Sequence, residues 1–268
     1  MKKSIFIFIA FFLTLAGFAE VRVVSLSPAV TETIFQLGAE KLLVGRSSAC
    51  DYPRAAENIP VAGEFGIPDL EKILQLRADL VITNVMVNPA AAKTLQRHGV
   101  RVLVAPCDKI SDYRALVAEL GKLLACEDAA AREIERIDAA KARWARARNY
   151  PYRVLMIIWE KPIVVPGNGT FCQELLLQSG VKALDFKGKK GYFTPDAEYL
   201  LLSDPDIVLV LRDPEGLSMH PVLKKMRAVR EKKVIKLADP DIFQRPGPRW
   251  IEAVDFLRGE WEKMDEKN

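Results

Sequence analysis

The sequence predicts an α/β protein of two similar lobes with mainly parallel sheets. Three observations carry that prediction. Apolar, β-branched runs alternate with amphipathic helical segments along the chain. One unit occurs twice without a gap. A long helical stretch free of Gly and Pro falls between the two copies. Strands that alternate with helices imply right-handed crossovers and parallel sheets.

The repeated unit is Asp69 to Thr83, DLEKILQLRADLVIT, and Asp196 to Val210, DAEYLLLSDPDIVLV, at an offset of 127. Asp69/Asp196, Glu71/Glu198, Leu74/Leu201, Asp79/Asp206 and Val81/Val208 are identical pairs. Each copy reads as a short amphipathic helix, a turn at the Asp and a β-branched strand. Val21–Leu26 and Tyr152–Ile158 read as the strands that open each half. Each precedes a helix that stops at Gly38 or Gly180, where Gly suits a helix C-terminus. Gly99–Ala105 and Lys233–Leu237 read as strands that follow basic helices. The period is far too long for a solenoid.

The join, Cys126 to Arg148, is rich in Ala, Glu, Arg and Lys. Acidic residues crowd its start and basic ones its end, as the helix dipole favours. At 1.5 Å per residue it could run about 35 Å. It reads as either an ordinary surface helix packed on one lobe or a rigid strut between lobes.

The N-terminus reads as an address. Lys2 and Lys3 precede an apolar run from Ile5 to Leu15, and Gly17-Phe18-Ala19 supplies small residues before Glu20. Phe18 stands where a lipoprotein would carry its lipidated Cys. Residues 1–19 are therefore expected to be a signal peptide, followed by a lobe over 20–125, a linking helix over 126–149 and a second lobe over 150–268. The expected location is the periplasm.

Composition excludes other classes. The chain has 268 residues, 50% hydrophobic and 28% charged, which leaves ample apolar material for a core and argues against disorder. The run Ile5–Ala19 is too short for a comfortable membrane span. A net charge of +4 from 39 basic and 35 acidic residues gives no basic face for nucleic acid. No G-x-S-x-G or Gly-rich phosphate loop occurs in a strand–turn–helix setting, so an exported α/β enzyme is the remote alternative. Cys50, Cys107, Cys126 and Cys172 match no zinc spacing and read as thiols rather than a disulfide framework. His98 and His220, the two histidines, form no metal cage.

A series of segments resembles a known family: Val23 to Glu32 (VVSLSPAVTE), Cys50-Asp51-Tyr52-Pro53, Asp69-Leu70-Glu71 with Asp79-Leu80-Val81-Ile82, and Arg245-Pro246-Gly247-Pro248-Arg249. In order and spacing they resemble the helical-backbone (class III) periplasmic binding proteins, which feed ABC importers of cobalamin, haem and iron-siderophores, and above all the vitamin B12-binding members. The resemblance spans about residues 21–260. It implies two α/β lobes joined by one long helix, strand order 2-1-3-4 in each lobe and a ligand in the cleft between them. It also implies a monomeric, non-catalytic protein without a resident cofactor. The expected ligand is cobalamin or another corrinoid, with haem or an Fe(III)-siderophore as the alternative.

The residues themselves agree with a cleft site, because ligands of parallel sheets bind outside the carboxyl ends of strands. Those loops are Ser27–Ala29, Ser47–Pro53, Thr83–Asn88, Trp159–Asn168, Arg212–Pro214 and Asp239–Arg245. By resemblance Tyr52, Phe65, Trp159, Tyr192, Asp241 and Arg245 fall where B12 binders place aromatic walls and side-chain amide contacts. Phe193, Phe243, Trp144, Trp250 and Trp261 read as packing residues. Glu71 and Glu198 occupy equivalent places in the duplicated unit, and the resemblance implies that they dock on arginines of the ABC permease. Ser179 and Arg258 stand near where the resemblance implies a disulfide, which this chain lacks.

Overall fold

The computed structural model describes residues 20–211 and 214–266. The expected signal peptide lies outside them, as do positions 212–213 of one expected loop. The first half runs β1 (Val23–Ser25), α1 (Pro28–Gln36), β2 (Leu43–Arg46), β3 (Gly63–Glu64), β4 (Ile67–Pro68), α2 (Leu70–Gln75), β5 (Leu80–Thr83), α3 (Pro89–Arg97), β6 (Arg101–Val104) and α4 (Ile110–Leu123). Helix α5 (Glu127–Ala145) follows. The second half runs β7 (Arg153–Ile157), β8 (Trp159–Glu160), β9 (Ile163–Pro166), α6 (Phe171–Gln178), β10 (Lys182–Ala183), β11 (Tyr192–Phe193), α7 (Ala197–Ser203), β12 (Ile207–Val210), α8 (Pro214–Met219), α9 (Arg227–Arg230), β13 (Val234–Lys236), α10 (Asp241–Gln244) and α11 (Trp250–Asp265).

The first sheet has the order β2-β1-β5-β6 and the second β10-β7-β12-β13, all parallel. Both are the order 2-1-3-4. The repeated Val81 pairs with Val24 on the opening strand of its lobe, and Val208 with Leu155 on its own. The identical Asp79 and Asp206 explain the repeat. Asp79 accepts the Arg22 backbone N–H at 2.8 Å, and the Arg22 guanidinium donates back to the Leu76 carbonyl at 2.9 Å. Asp206 accepts the Arg153 N–H at 2.9 Å, and Arg153 donates to Ser203 at 2.6 Å. Each lobe thus ties its opening strand to the end of its repeat helix. The chain leaves that helix through a left-handed residue in both copies, Arg77 at φ 49° and Asp204 at φ 38°.

Helix starts follow their capping chemistry. Asp69 accepts from Lys72 N, Asn88 from Ala90 N and Thr170 from Gln173 N, while Pro28 and Pro89 open helices where no intrahelical N–H is needed. Gly38 and Gly180, at φ 69° and 85°, close the helices as expected.

Helix α5 spans about 28 Å at 1.5 Å per residue, shorter than the sequence suggests. Its end is fixed from outside. The Arg148 carbonyl accepts from Arg258, and Tyr150 N donates to Gly180 O at 2.7 Å, drawing the chain out of the helix. The same helix both packs on one lobe and reaches the other. It lies along α4, where Gly121 meets Ala130 so closely that an added Cβ would stand 2.6 Å from the alanine Cβ. On the other side Trp144 packs edge-to-face on Trp250 at 5.1 Å and donates to Asp255. One apolar core runs from Val23 and Ile82 through Ile137 and Trp144 to Leu209 and Trp261. Trp144, Trp250 and Trp261 are buried packing residues, as expected.

Arg258 and Ser179 are joined by hydrogen bonds to a common region. Arg258 reaches the carbonyls of Arg148 and Gln178, and Trp261 donates to Ser179 Oγ at 3.0 Å, so α11 is held to the end of α6. The four cysteines are free thiols.

Glu133 on α5 is buried and saturated. It accepts from Tyr113 on α4, from Gln36 on α1 and from both forks of Arg136, whose guanidinium continues to the Pro248 carbonyl of the second lobe. Glu133→Ala strands the buried Tyr113 hydroxyl and the half-buried Arg136 guanidinium, and is expected to cost about 3 kcal/mol, typical of a broken buried pair. The check is a lower urea midpoint at unchanged slope.

Candidate functional site

The carboxyl ends of both sheets face a cavity of about 700 Å³ between the lobes, within the usual size range of small-molecule pockets. The first lobe supplies the start of α1 (Ser27 to Ala29), the loop after β5 (Asn84 to Met86), the loop after β6 (Pro106 to Asp108) and Phe65. The second supplies Phe171, Tyr192, Asp241, Gln244, Arg245 and Pro246.

Each wall is positioned by its backbone. Phe65 sits at the tip of the β3–β4 hairpin and is 47% exposed. Gly66 beside it donates to Leu26 O and accepts from Val87 N, both at 3.0 Å, so the hairpin tip is pinned to the loops after β1 and β5. Gly66 has φ 68°, and a Cβ there would stand 2.8 Å from the Val85 carbonyl oxygen, so only glycine fits. Helix α1 begins at the cleft, and its first-turn amides are those a helix leaves without intrahelical partners. Ser27 does not cap them: its hydroxyl donates to Asn84 Oδ1, whose amide donates to Ala105 O. Tyr192 lies on β11, paired with Pro166 of β9. It is 49% exposed, and the hydroxyl turns inward to Cys172 Sγ at 3.4 Å.

The floor of the cleft is an ion network joining the lobes. Glu32 of α1 is buried and takes both forks of Arg249, at 2.8 and 3.0 Å, and one nitrogen of Arg245 at 3.1 Å. Arg245 also reaches Asp51 at 2.7 Å and Asp241 at 2.9 Å, and Arg249 reaches Asp239 at 2.7 Å. Three carboxylates therefore face Arg245, the single cation among the described residues lining the cavity, and Asp108 adds another negative charge. The remaining lining is mostly apolar. The lobes also meet where Glu174 of α6 accepts the Ile110 N–H at the start of α4, 2.8 Å. Burial pushes the Cys107 thiol, also on the cavity wall, up to about 12, which keeps it protonated.

Of the residues expected from the sequence, Phe65, Tyr192, Asp241 and Arg245 come together on the cavity. Tyr52 and Trp159 do not line it. The Tyr52 ring, 46% exposed, lies against the Arg249 guanidinium, 3.9 Å from Cζ to the centroid. Trp159 stands in the β8–β9 hairpin opposite Val164, and its indole N–H donates to Lys161 O at 2.9 Å, which commits the ring to its own turn. Phe243 is buried, and Phe193 packs on Phe186. Sequence reasoning missed Glu32 and Phe171, and covered Asn84 and Met86 only within the Thr83–Asn88 loop. Glu32 lay inside the quoted VVSLSPAVTE segment, and an acidic residue on the apolar helix after β1 was the available signal. His98 closes α3 on Thr94 O, and His220 accepts the Val222 and Leu223 amides. Among the described residues no group of three or more His, Cys, Asp or Glu is placed to hold a metal ion, and no helix is long and apolar enough to cross a membrane.

Glu71 and Glu198 both sit at the second position of a repeat helix, α2 and α7, and both are exposed. Each stands beside a groove made by equivalent residues: Pro68, Asp69 and Lys72 in one lobe, Pro195, Asp196 and Tyr199 in the other.

Comparison with known proteins places this geometry. The family model described as periplasmic binding protein matches residues 23–240. The chain is 24% identical over 253 residues to an uncharacterized ABC transporter substrate-binding lipoprotein of Bacillus subtilis strain 168, covering 88% of this chain and 78% of that one. It is 24% identical over 263 residues to a vitamin B12-binding protein of Vibrio parahaemolyticus, covering 95% and 94%. Among solved structures, the periplasmic heme-binding protein BhuT in complex with two hemes superposes with a TM-score of 0.80 at 27% identity, covering 90% of this chain and 98% of that one.

The floor network gives a pH signature. The Arg245 hydrogen bond holds the Asp51 carboxyl below its ordinary 3.8 in the fold. A depressed carboxylate contributes stability that is present above its unfolded value and lost as pH falls through the folded value. The stability gap between wild type and Asp51→Asn, read from denaturant midpoints, should be flat above about pH 5 and shrink as the pH falls below the ordinary carboxylate value and through the lowered folded one.

Proposed function

We propose, from the premise that the chain belongs to the periplasmic binding protein family, that it captures a corrinoid in the cleft between its lobes and delivers it to an ABC importer. The observation that carries the reading is the charge of the cleft. Arg245 is already met by Glu32, Asp51 and Asp241, and Asp108 lines the cavity from the other lobe. A ligand rimmed with carboxylates would find no unpaired cation among the described lining residues. A corrinoid is rimmed with neutral amides. Asp108, Asp241 and the first-turn amides of α1 suit amide N–H and C=O groups, and Phe65, Phe171 and Tyr192 suit the faces of a macrocycle.

A porphyrin is the second reading, favoured by the similarity to the heme complex. Mixing the protein separately with cyanocobalamin, haemin and ferrichrome, then desalting, distinguishes them by absorbance. Corrin bands should co-elute with the protein near one per chain. Phe65→Ala should weaken cyanocobalamin binding by about 1–2 kcal/mol, the usual cost of a lost aromatic wall. Stoichiometric retention of haemin or ferrichrome, with cyanocobalamin lost, contradicts the corrinoid reading.

Glu71 and Glu198 serve as the docking pair. The duplication puts one exposed carboxylate at the same place on each lobe, matching two equivalent basic sites on a two-fold permease. Carboxylate–Arg contacts are directional and set register. Exposed pairs contribute only about 0–1 kcal/mol each, so single changes should be partly tolerated. Glu71→Lys with Glu198→Lys should abolish uptake while cyanocobalamin affinity in solution stays at the wild-type value. Uptake that persists removes the docking role.

A further inference from the structure

Beside Glu198 lies a recess of about 160 Å³ that belongs to the outer face and not to the ligand cleft. Its floor is aromatic: Phe186 meets Phe193 edge-to-face at 5.2 Å and Tyr199 at 5.5 Å. Two ammonium groups stand over that floor. Lys187 Nζ lies 5.6 Å from the centroid of the Tyr199 ring, and Lys189 Nζ 5.0 Å from that of Phe193. Among the described residues neither is paired with a carboxylate. The attraction of a cation to a ring face restrains both side chains.

The loop that carries the lysines is fixed. The chain turns through left-handed backbone at Lys187 and Gly188, φ 55° and 76°. There the Gly188 N–H donates to Asp185 Oδ1 at 3.1 Å, and Tyr199 Oη donates to the Asp185 carbonyl. The Lys189 carbonyl accepts the Asn168 N–H at 2.7 Å. A Cβ on Gly167 would stand 2.5 Å from that same oxygen, so the loop packs on the β9–α6 turn with no side chain between them. Groups presented on a fixed loop lose less freedom when a partner arrives.

The repeat isolates what is particular to this lobe. Its offset of 127, extended upstream, pairs Pro195 with Pro68 and Asp196 with Asp69. It pairs Lys187 with Pro60, Lys189 with Ala62 and Tyr199 with Lys72. The recess of the first lobe therefore holds one lysine with Glu64 and Asp69, and that of the second holds two lysines with Asp196. Two restrained cations next to the exposed Glu198 call for a partner surface of mixed sign, with an anion for the lysines beside a cation for the glutamate. A protein surface can place the two side by side. An anionic lipid surface would be opposed by Asp196 and Glu198.

We propose that the recess beside Glu198 receives an acidic side chain of the permease, an Asp or Glu standing next to the basic group that Glu198 meets. The proposal rests on the docking reading of Glu71 and Glu198. The second lobe then offers contacts of both signs and the first mainly of one, so a permease can tell the two ends of the protein apart.

The test measures capture of fluorescently labelled protein by right-side-out membrane vesicles of the source organism. A second arm uses protein-free vesicles of phosphatidylethanolamine and phosphatidylglycerol. Capture lost in Glu71→Lys with Glu198→Lys marks the part due to permease docking. Lys187→Glu with Lys189→Glu should weaken that part about tenfold, the scale of two attractive charges made repulsive at an exposed contact. Lys187→Arg with Lys189→Arg should retain it. Lys41→Glu with Lys122→Glu, the same change in charge at exposed positions of the first lobe, should leave it unchanged. Circular dichroism checks folding, and Lys187→Gln with Lys189→Gln replaces the reversal should that one not fold, with a loss in the same direction. Wild-type capture by the lysine reversal overturns the proposal and leaves the docking reading standing. So does an equal loss in the Lys41 and Lys122 variant, which is an effect of bulk charge. Lysine-dependent capture by the protein-free vesicles makes lipid the occupant and also overturns it. Capture that survives reversal of both glutamates overturns the docking reading, and the proposal with it.

Discussion

The cleft depends on one buried carboxylate. Glu32 enters from α1 of the first lobe and is met by Arg249 and Arg245 of the second. Removing a carboxylate from water is costly unless its lone pairs are filled, and here the bidentate fork of Arg249 and one nitrogen of Arg245 fill them. These three bonds and that of Arg245 to Asp51, all between residues about two hundred positions apart, leave the lobes little freedom to slide. The same network decides the electrostatics above it. Arg245 faces the cavity yet is neutralised by Asp51 and Asp241 as well as Glu32. The lobe contact and the charge of the cavity are thus consequences of a single arrangement, and the Tyr52 ring lies against its Arg249. The contact of Glu174 with the start of α4 and the α5 strut with its Glu133 cluster hold the lobes elsewhere.

The duplicated frame explains where the chemistry is placed. Both sheets run 2-1-3-4, so both deliver their loops to the same side. The lobes then diverge. The first adds a two-stranded hairpin that carries Phe65, and the second adds the antiparallel β11-β9-β8 sheet that carries Tyr192. Phe65 and Tyr192 still stand at the repeat's own offset of 127, just before Asp69 and Asp196, so the two aromatic walls occupy equivalent places on locally different strands. The repeat itself supplies the outer features that must match on both lobes, Glu71 and Glu198 with their neighbouring grooves.

This division tracks what the sequence discloses. The repeat is legible because identical residues perform identical tasks: Asp79 and Asp206 each clamp an opening strand, and Val81 and Val208 each pair with it. The helix at the join is legible from composition, though not its end, which Arg258 and Gly180 impose from distant parts of the chain. The walls are less legible. Strands of two residues, such as β8 and β11, are too short to show alternation. Trp159 looks like a strand-end loop residue, but its hairpin pairing and its bond to Lys161 O turn it to its own turn. The pairing of Glu32 with Arg249 spans 217 positions and has no local signature at either end. Tyr52 sits next to Asp51 in that network, which is why its neighbourhood is legible although its ring stacks on Arg249.

The central claim is that a cobalt-bearing macrocycle sits between Phe65 and Tyr192, over Arg245. Anomalous diffraction at the cobalt edge from crystals of the cyanocobalamin complex tests it directly. The account predicts one cobalt peak per chain inside the interlobe cavity, within reach of both rings. A peak on an outer groove, or its absence from well-ordered crystals grown with saturating cyanocobalamin, contradicts it.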